Sequence, residues 1–190
     1  MPTAMVLIAN GSEEIEAVTA IDVLRRAEVA VTVAGLDALD VRASRGVALR
    51  ADVCLQDVAD QSFDLVVLPG GKEGAERLRD DERVLALLRR QHDKGGLIGA
   101  ICAAPMVLVA AGLLEGRRAT SYPGFLQSGD AQLSEEAVVV DGNIITSRGP
   151  ATAMAFALEL VERLCGAAQR RQNADRLLYA RYGEHAAAAT

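Results

Sequence analysis

The sequence predicts an α/β fold with a mostly parallel central sheet and helices on both of its faces. Two observations carry this. Short apolar runs at 4–9, 63–68 and 97–101 show no polar alternation, as strands buried on both faces require. Stretches of helical character stand between them, so strand and helix alternate along the chain. The chain has 190 residues and is 51% hydrophobic, enough to bury one full core. Aromatic residues are only 3% and Trp is absent, so Ala, Val and Leu do the packing.

The elements follow in order. Residues 4–9 form a buried first strand. Asn10-Gly11-Ser12 is a turn able to cap a helix that starts near Glu13 and runs to about Ala27. Thr19, Asp22 and Arg26 make its polar stripe, and Ala17, Ala20, Ile21, Val23 and Leu24 face inward. A second strand at 29–34 completes a βαβ unit with a right-handed crossover. Residues 43–54 read as short strand pieces around the turn Ser44-Arg45-Gly46. The strand at 63–68 ends in Pro69-Gly70-Gly71. One helical segment then carries on to about His92, with Arg79, Asp80, Asp81, Glu82 and Arg83 midway. After the strand at 97–101, a helix opens at Pro105 and stops before Gly112, the usual proline-first, glycine-after asymmetry. A short strand and turn at 119–123 come next, then strands at 137–140 and 144–146 around Asp141-Gly142-Asn143. A long helix is expected at 151–164 and a last helix at 174–182. No repeat or linker divides the chain, so a single domain over residues 1–183 is expected, with a frayed tail over 184–190.

Cys102 stands between the strand at 97–101 and the helix at Pro105, at a corner with almost no loop. A side chain there sits beside free backbone N–H groups at a helix start, which favour a thiolate and predict a lowered pKa. In a parallel sheet, the loops that leave the carboxyl ends of the strands share one edge. That edge then collects Glu13, Glu14 and Glu16, the glycine pair Gly70-Gly71, and Cys102. The N–H groups of Gly71 and Ala103 are candidates to hold a developing negative charge. A carboxyl beside a thiolate is pushed toward its protonated form and serves as general acid or base. Spacing alone leaves open which of the three glutamates does so. Glu13 and Glu14 also read as first-turn acids on the helix dipole, whereas Glu16 keeps apolar company in its column with Ala20, Val23 and Ala27.

Other chemistries are poorly supported. The net charge of −6 and the few aromatic rings argue against a nucleic-acid interface. Cys54, Cys102 and Cys165 are odd in number and lack CxxC spacing, so neither a disulfide framework nor a zinc site is expected. His92 and His185 lie far apart in sequence, and neither accompanies Cys102 as a protease base would. There is no GxGxxG after the first strand and no P-loop. No charged-then-apolar leader and no long uncharged span is visible, so a soluble cytoplasmic protein is expected. With a carboxyl as the proton shuttle, a reactive aldehyde or its adduct suits the site better than a peptide.

Four motifs together, Glu13-Glu14-Ile15-Glu16, Leu68-Pro69-Gly70-Gly71, Ala100-Ile101-Cys102-Ala103-Ala104-Pro105 and Thr146-Ser147-Arg148-Gly149-Pro150, resemble the ThiJ/PfpI superfamily. The likeness is to its branch of parkinsonism-associated deglycases and YajL, and it spans nearly the whole chain. It implies a flavodoxin-like three-layer sandwich and a homodimer. It also implies a reactive cysteine at Cys102, a protonated glutamate at Glu16, and oxyanion donors at Gly71 and Ala103. Gly70, Arg45 and Arg148 match family positions near the site or an interface. Tyr122 stands where some members of the branch have a histidine, which implies slower glyoxalase turnover. Ala103 stands where the protease-like branch has a histidine, so a peptidase is not implied.

The function expected is a cysteine-dependent glyoxalase or deglycase, free of cofactor and metal. Its substrates would be methylglyoxal, glyoxal or their early adducts on thiols and amines. No membrane is expected as partner, and nucleic acid only as a glycated substrate. The alternative is a non-enzymatic redox sensor or stress-response chaperone switched by oxidation of Cys102.

Overall fold

The computed structural model describes residues 1–179. Its centre is a seven-stranded sheet in the order β10-β11-β7-β6-β1-β2-β5. The strands are β1 (Thr3–Ile8), β2 (Ala30–Gly35), β5 (Val53–Cys54), β6 (Leu65–Leu68), β7 (Leu97–Ile101), β10 (Val138–Asp141) and β11 (Ile144–Ser147). Only the edge strand β10 runs antiparallel, paired to β11. Two small sheets lie outside it: the hairpin β3 (Asp40–Arg42) with β4 (Ala48–Arg50), and β8 (Arg118–Ala119) with β9 (Gln132–Leu133).

Alternation along the strands builds two cores. Met5 and Leu7 of β1 face one side with Val66 and Leu68 of β6. The helices on that side are α2 (Leu55–Val58), α3 (Lys72–Arg79), α4 (Glu82–Asp93) and α5 (Pro105–Ala110). Ala4, Val6 and Ile8 face the other side with Leu65 and Val67. There they meet α1 (Glu14–Arg26), α6 (Ala153–Cys165) and α7 (Ala167–Arg176). Each fully buried Leu, Val or Phe contributes about 1.5–3 kcal/mol. Gly99 in β7 lets α6 approach closely, since a Cβ there would lie 2.9 Å from both Phe156 and Leu160.

Several boundaries differ from expectation, among them that β3 lies at Asp40–Arg42, before the strand pieces expected at 43–54. The helical segment after Gly71 is two helices, because Asp81 caps a new start by accepting the Arg83 N–H at 2.9 Å. Glu13, not the preceding turn, caps α1, accepting the Glu16 N–H at 2.8 Å. Ser12 Oγ instead accepts the N–H of Ala9. The last described helix begins at Ala167, earlier than the expected 174, directly after Gly166 in the left-handed region. The remainder of the helix expected at 174–182, the tail at 184–190 and His185 lie outside the described residues.

Strand order reverses at β1: β2 lies to one side of it and β6 to the other. Such a switch point opens a crevice at the carboxyl ends of the strands. The loops after β1, β6 and β7 all reach it.

Candidate active site

β7 ends at Ile101, and the next residue, Cys102, turns the chain with a φ of 64°, in the left-handed region that non-glycine residues seldom enter. Neighbouring backbone holds it there. Its N–H donates to the Ser147 carbonyl, and its carbonyl accepts the Tyr122 N–H, both at 2.9 Å. Ala104 then leads into α5, with Pro105 in the first turn. The corner puts the cysteine at the wall of a cleft of about 640 Å³, also lined by Glu13, Arg45, Gly71, Lys72 and Tyr122. Cys102 is 9% exposed and borders this cleft.

Glu16 approaches from behind. It lies in the first turn of α1, is 1% exposed, and does not line the cleft itself. Its Oε2 accepts the Gly70 N–H at 2.7 Å. Its Oε1 is buried without a hydrogen-bond partner, and the carboxyl lies beside the Cys102 side chain, close enough for each to shift the other's pKa. Gly70 is the joint between the two groups. A Cβ on it would lie 2.6 Å from Cys102 Cβ and 2.7 Å from Glu16 Oε2. Gly71, with a φ of 81°, has equally little room: a Cβ would meet the Gly11 carbonyl at 2.2 Å. The N–H groups of Gly71 and Ala103 lie close enough to the sulfur to lower its pKa.

The electrostatics differ in part from expectation. Burial pushes the Glu16 carboxyl up to about 7, against the pull of the Gly70 amide and the thiol. The cause is loss of water, not a neighbouring thiolate. The expected fall of the thiol's pKa is reversed. Burial first, then the charge of Glu16, push Cys102 up to about 12, and the Gly71 and Ala103 amides offset this only in part. Between these two values the carboxyl has given up its proton while the thiol keeps its own.

The remaining candidates divide. Arg45 and Tyr122 reach the cleft. The Tyr122 ring packs edge-on against Phe125 at 6.2 Å. Arg148 lines a separate hollow of about 200 Å³ with Thr120 and Ser134. Glu14 has a role that sequence reading missed. It is buried, and its carboxylate accepts the Ser44 hydroxyl and the Arg45 N–H, both at 2.9 Å, pinning the turn that carries Arg45. Thirty residues separate these partners, so no local spacing reveals the contact. Lys72 at the cleft mouth was missed too; its place directly after Gly70-Gly71 was the available signal.

A family model described as DJ-1/PfpI family matches residues 2–163. The chain belongs to the DJ-1/PfpI family. It is 46% identical to Protein dj-1beta of Drosophila melanogaster over 94% of this chain and 97% of that one. The crystal structure of that fly protein superposes with a TM-score of 0.90, covering 93% of this chain and 97% of that one. An oxidized DJ-1 of Toxoplasma gondii, 43% identical, has a TM-score of 0.91 over 95% of this chain and all of that one. Glutathione-independent glyoxalase DJR-1.2 of Caenorhabditis elegans is 38% identical over 86% of this chain and 89% of its own length. The mixed α/β architecture is thus that of the family's flavodoxin-like structures. No helix among the described residues is long and apolar enough to cross a membrane.

Proposed function

We propose that the protein is a cysteine-dependent glyoxalase and deglycase that needs no cofactor. The substrates are methylglyoxal, glyoxal or their early adducts on thiols and amines. The observation that carries this reading is the contact between Cys102, at the cleft wall, and the buried Glu16 behind it, with two free amides facing the sulfur. The name of the worm relative adds support.

Glu16, as carboxylate, takes the thiol proton while sulfur adds to the aldehyde carbon. The carbonyl electron pair moves to oxygen, which the Gly71 and Ala103 N–H groups hold. Glu16 gives the thiol proton to that oxygen and, a carboxylate again, takes the hydrogen of the same carbon as a proton and returns it to the neighbouring ketone carbon, while the hydroxyl proton passes from the first oxygen to the second. A lactoyl thioester remains on Cys102. Water adds to it, the C–S bond breaks, and lactate leaves as sulfur regains its proton. One carbon is oxidised while its neighbour is reduced, so no external electron acceptor enters. A Glu16 pKa near 7 suits a group that must accept and return protons at neutral pH.

The test is steady-state turnover of methylglyoxal with no added thiol, by the wild type and by Cys102→Ser. Many equivalents of lactate per subunit are expected from the wild type, and background from the variant. A single peroxide-dependent oxidation of Cys102 without turnover would replace the enzyme by a redox sensor, a reading favoured by the oxidized state of the Toxoplasma relative. We assign the protein to the cytoplasm, where unpaired Cys54, Cys102 and Cys165 stay reduced. We also infer a homodimer, because Ile15 and Val18 are exposed one helical turn apart on α1. Val18→Glu should then shift sedimentation toward the monomer.

A further inference from the structure

A second recess, of about 620 Å³, adjoins the cysteine cleft. The two share Gly11, Ser44, Arg45 and Glu73 as walls. Its charge is unlike that of the chain as a whole. The chain carries −6, yet Arg42, Arg45 and Lys72 gather around the joined hollows. Most arginines elsewhere are held by carboxylates, such as Arg50 by Asp40 and Arg83 by Asp37 and Asp81. Among the described residues, Arg42, Arg45 and Lys72 have no carboxylate within ion-pair distance. Three acids stand nearby, each with a partner of its own: Glu73 pairs with Arg77 at 2.8 Å, Glu13 accepts the Glu16 N–H, and Glu14 accepts the Ser44 hydroxyl and the Arg45 N–H.

The cationic groups ride on fixed backbone. The Arg45 N–H is held by Glu14, and the Ser44 N–H by the Ser12 carbonyl. The Arg42 N–H donates to Asn10, and its carbonyl accepts the Gly11 N–H. The Arg42 guanidinium lies over the turn, with Nη2 3.5 Å from where a Gly46 Cβ would stand. Neutral methylglyoxal has no use for such groups. A guanidinium fork matches the paired oxygens of a carboxylate or phosphate, and a cluster of positive charge draws such anions in.

Building on the glyoxalase and deglycase reading, we propose that the substrate of this cleft carries an anionic group, carboxylate or phosphate, which Arg42, Arg45 and Lys72 bind beside the reacting carbonyl. The favoured substrates are then adducts of reactive aldehydes on small anionic thiols or amines, rather than free neutral aldehydes.

Matched pairs of reagents test this on the full chain. Alkylation of Cys102 by iodoacetate and by iodoacetamide reads the charge field without any turnover. Relative to a free thiol, iodoacetate should be favoured about threefold or more. The bias should shrink toward the free-thiol value in Arg42→Gln/Lys72→Gln and in about 0.5 M salt, and should persist in Arg42→Lys. Turnover is then compared for methylglyoxal adducts of N-acetylcysteine and its amide, and of phosphopantetheine and pantetheine. The charged member of at least one pair should show a KM lower by about threefold or more, and that pair names carboxylate or phosphate. Equal rates within every pair, or a bias that survives the double substitution, overturns the proposal. Absence of turnover for all adducts with the alkylation bias intact would overturn the glyoxalase reading and leave the anion site standing.

Discussion

Glu14 and Glu16 lie two residues apart in the first turn of α1, both buried, and their carboxyls shift in opposite directions. Burial raises both. At Glu14 it is outweighed by hydrogen bonds from its own backbone, the Ser44 hydroxyl and the amides of Arg45 and Val47, so the pKa falls below 4.5. At Glu16 only the Gly70 amide and the thiol oppose it, and burial wins, to about 7. Depth and the count of donors act together: Glu14 is the shallower of the two and has more donors, whereas Glu16 is deeper and has fewer. One clamps a turn, and the other, in the proposed function, trades a proton with sulfur.

The largest expected effect comes from closing the space between Glu16 and Cys102. Gly70→Ala would force a methyl into contacts of 2.6 and 2.7 Å with the two groups. Turnover of methylglyoxal should fall more than about 100-fold, with about 1–3 kcal/mol lost from urea unfolding. A variant with near wild-type turnover would show that the contact is not used. Glu16→Gln comes next. It keeps the shape and the acceptor for Gly70 but removes the base, so kcat/KM should fall about 100-fold while the protein stays folded. Wild-type kcat/KM should rise with pH through about 7, as Glu16 loses its proton, and the variant should lose that limb.

How much of this contrast was legible beforehand depended on range along the chain. The Cys102 corner was visible because strand, cysteine and Pro105 adjoin in sequence, and β7 occupies the expected residues. The shared edge followed from strand and helix alternation alone. Glu16 was singled out by family resemblance, with its apolar column as the only local hint. Its energetic partner Gly70 is 54 residues away. The reversed thiol shift was illegible for the same reason: a helix start is local, whereas dehydration of Cys102 is made by the whole fold. The break at Asp81 was missed because a capping aspartate inside a charged run looks like solvated helix surface. The early start of α7 was missed because its residues are mostly polar and give no apolar stripe.

The stability of the two glutamates should divide by pH. Glu16 has a folded pKa above its unfolded one, so the stability its protonated form supplies is complete below about 4.5 and lost as pH rises through about 7. Glu14 is the reverse: its contribution is present above 4.5 and lost as pH falls through its lowered folded value. Urea midpoints against pH should therefore lose their alkaline decline in Glu16→Gln and their acid decline in Glu14→Gln. The same decline in both variants would mean that the contrast between the two carboxyls is not real. Glu14→Gln should cost turnover about tenfold at most, through KM, because it loosens the Arg45 turn without touching the proton path.

Tyr122 supplies the smallest effect and the sharpest control. It faces the same cleft as Cys102, and a polar group so placed invites a catalytic role. Yet what the tyrosine does in the structure is done by its backbone and ring. Its N–H donates to the Cys102 carbonyl, and the ring packs against Phe125. Phenylalanine keeps both, so Tyr122→Phe should leave kcat/KM within about twofold of wild type. A tenfold loss would make the hydroxyl a third proton carrier, and the division of labour between Glu14 and Glu16 would no longer describe the whole site.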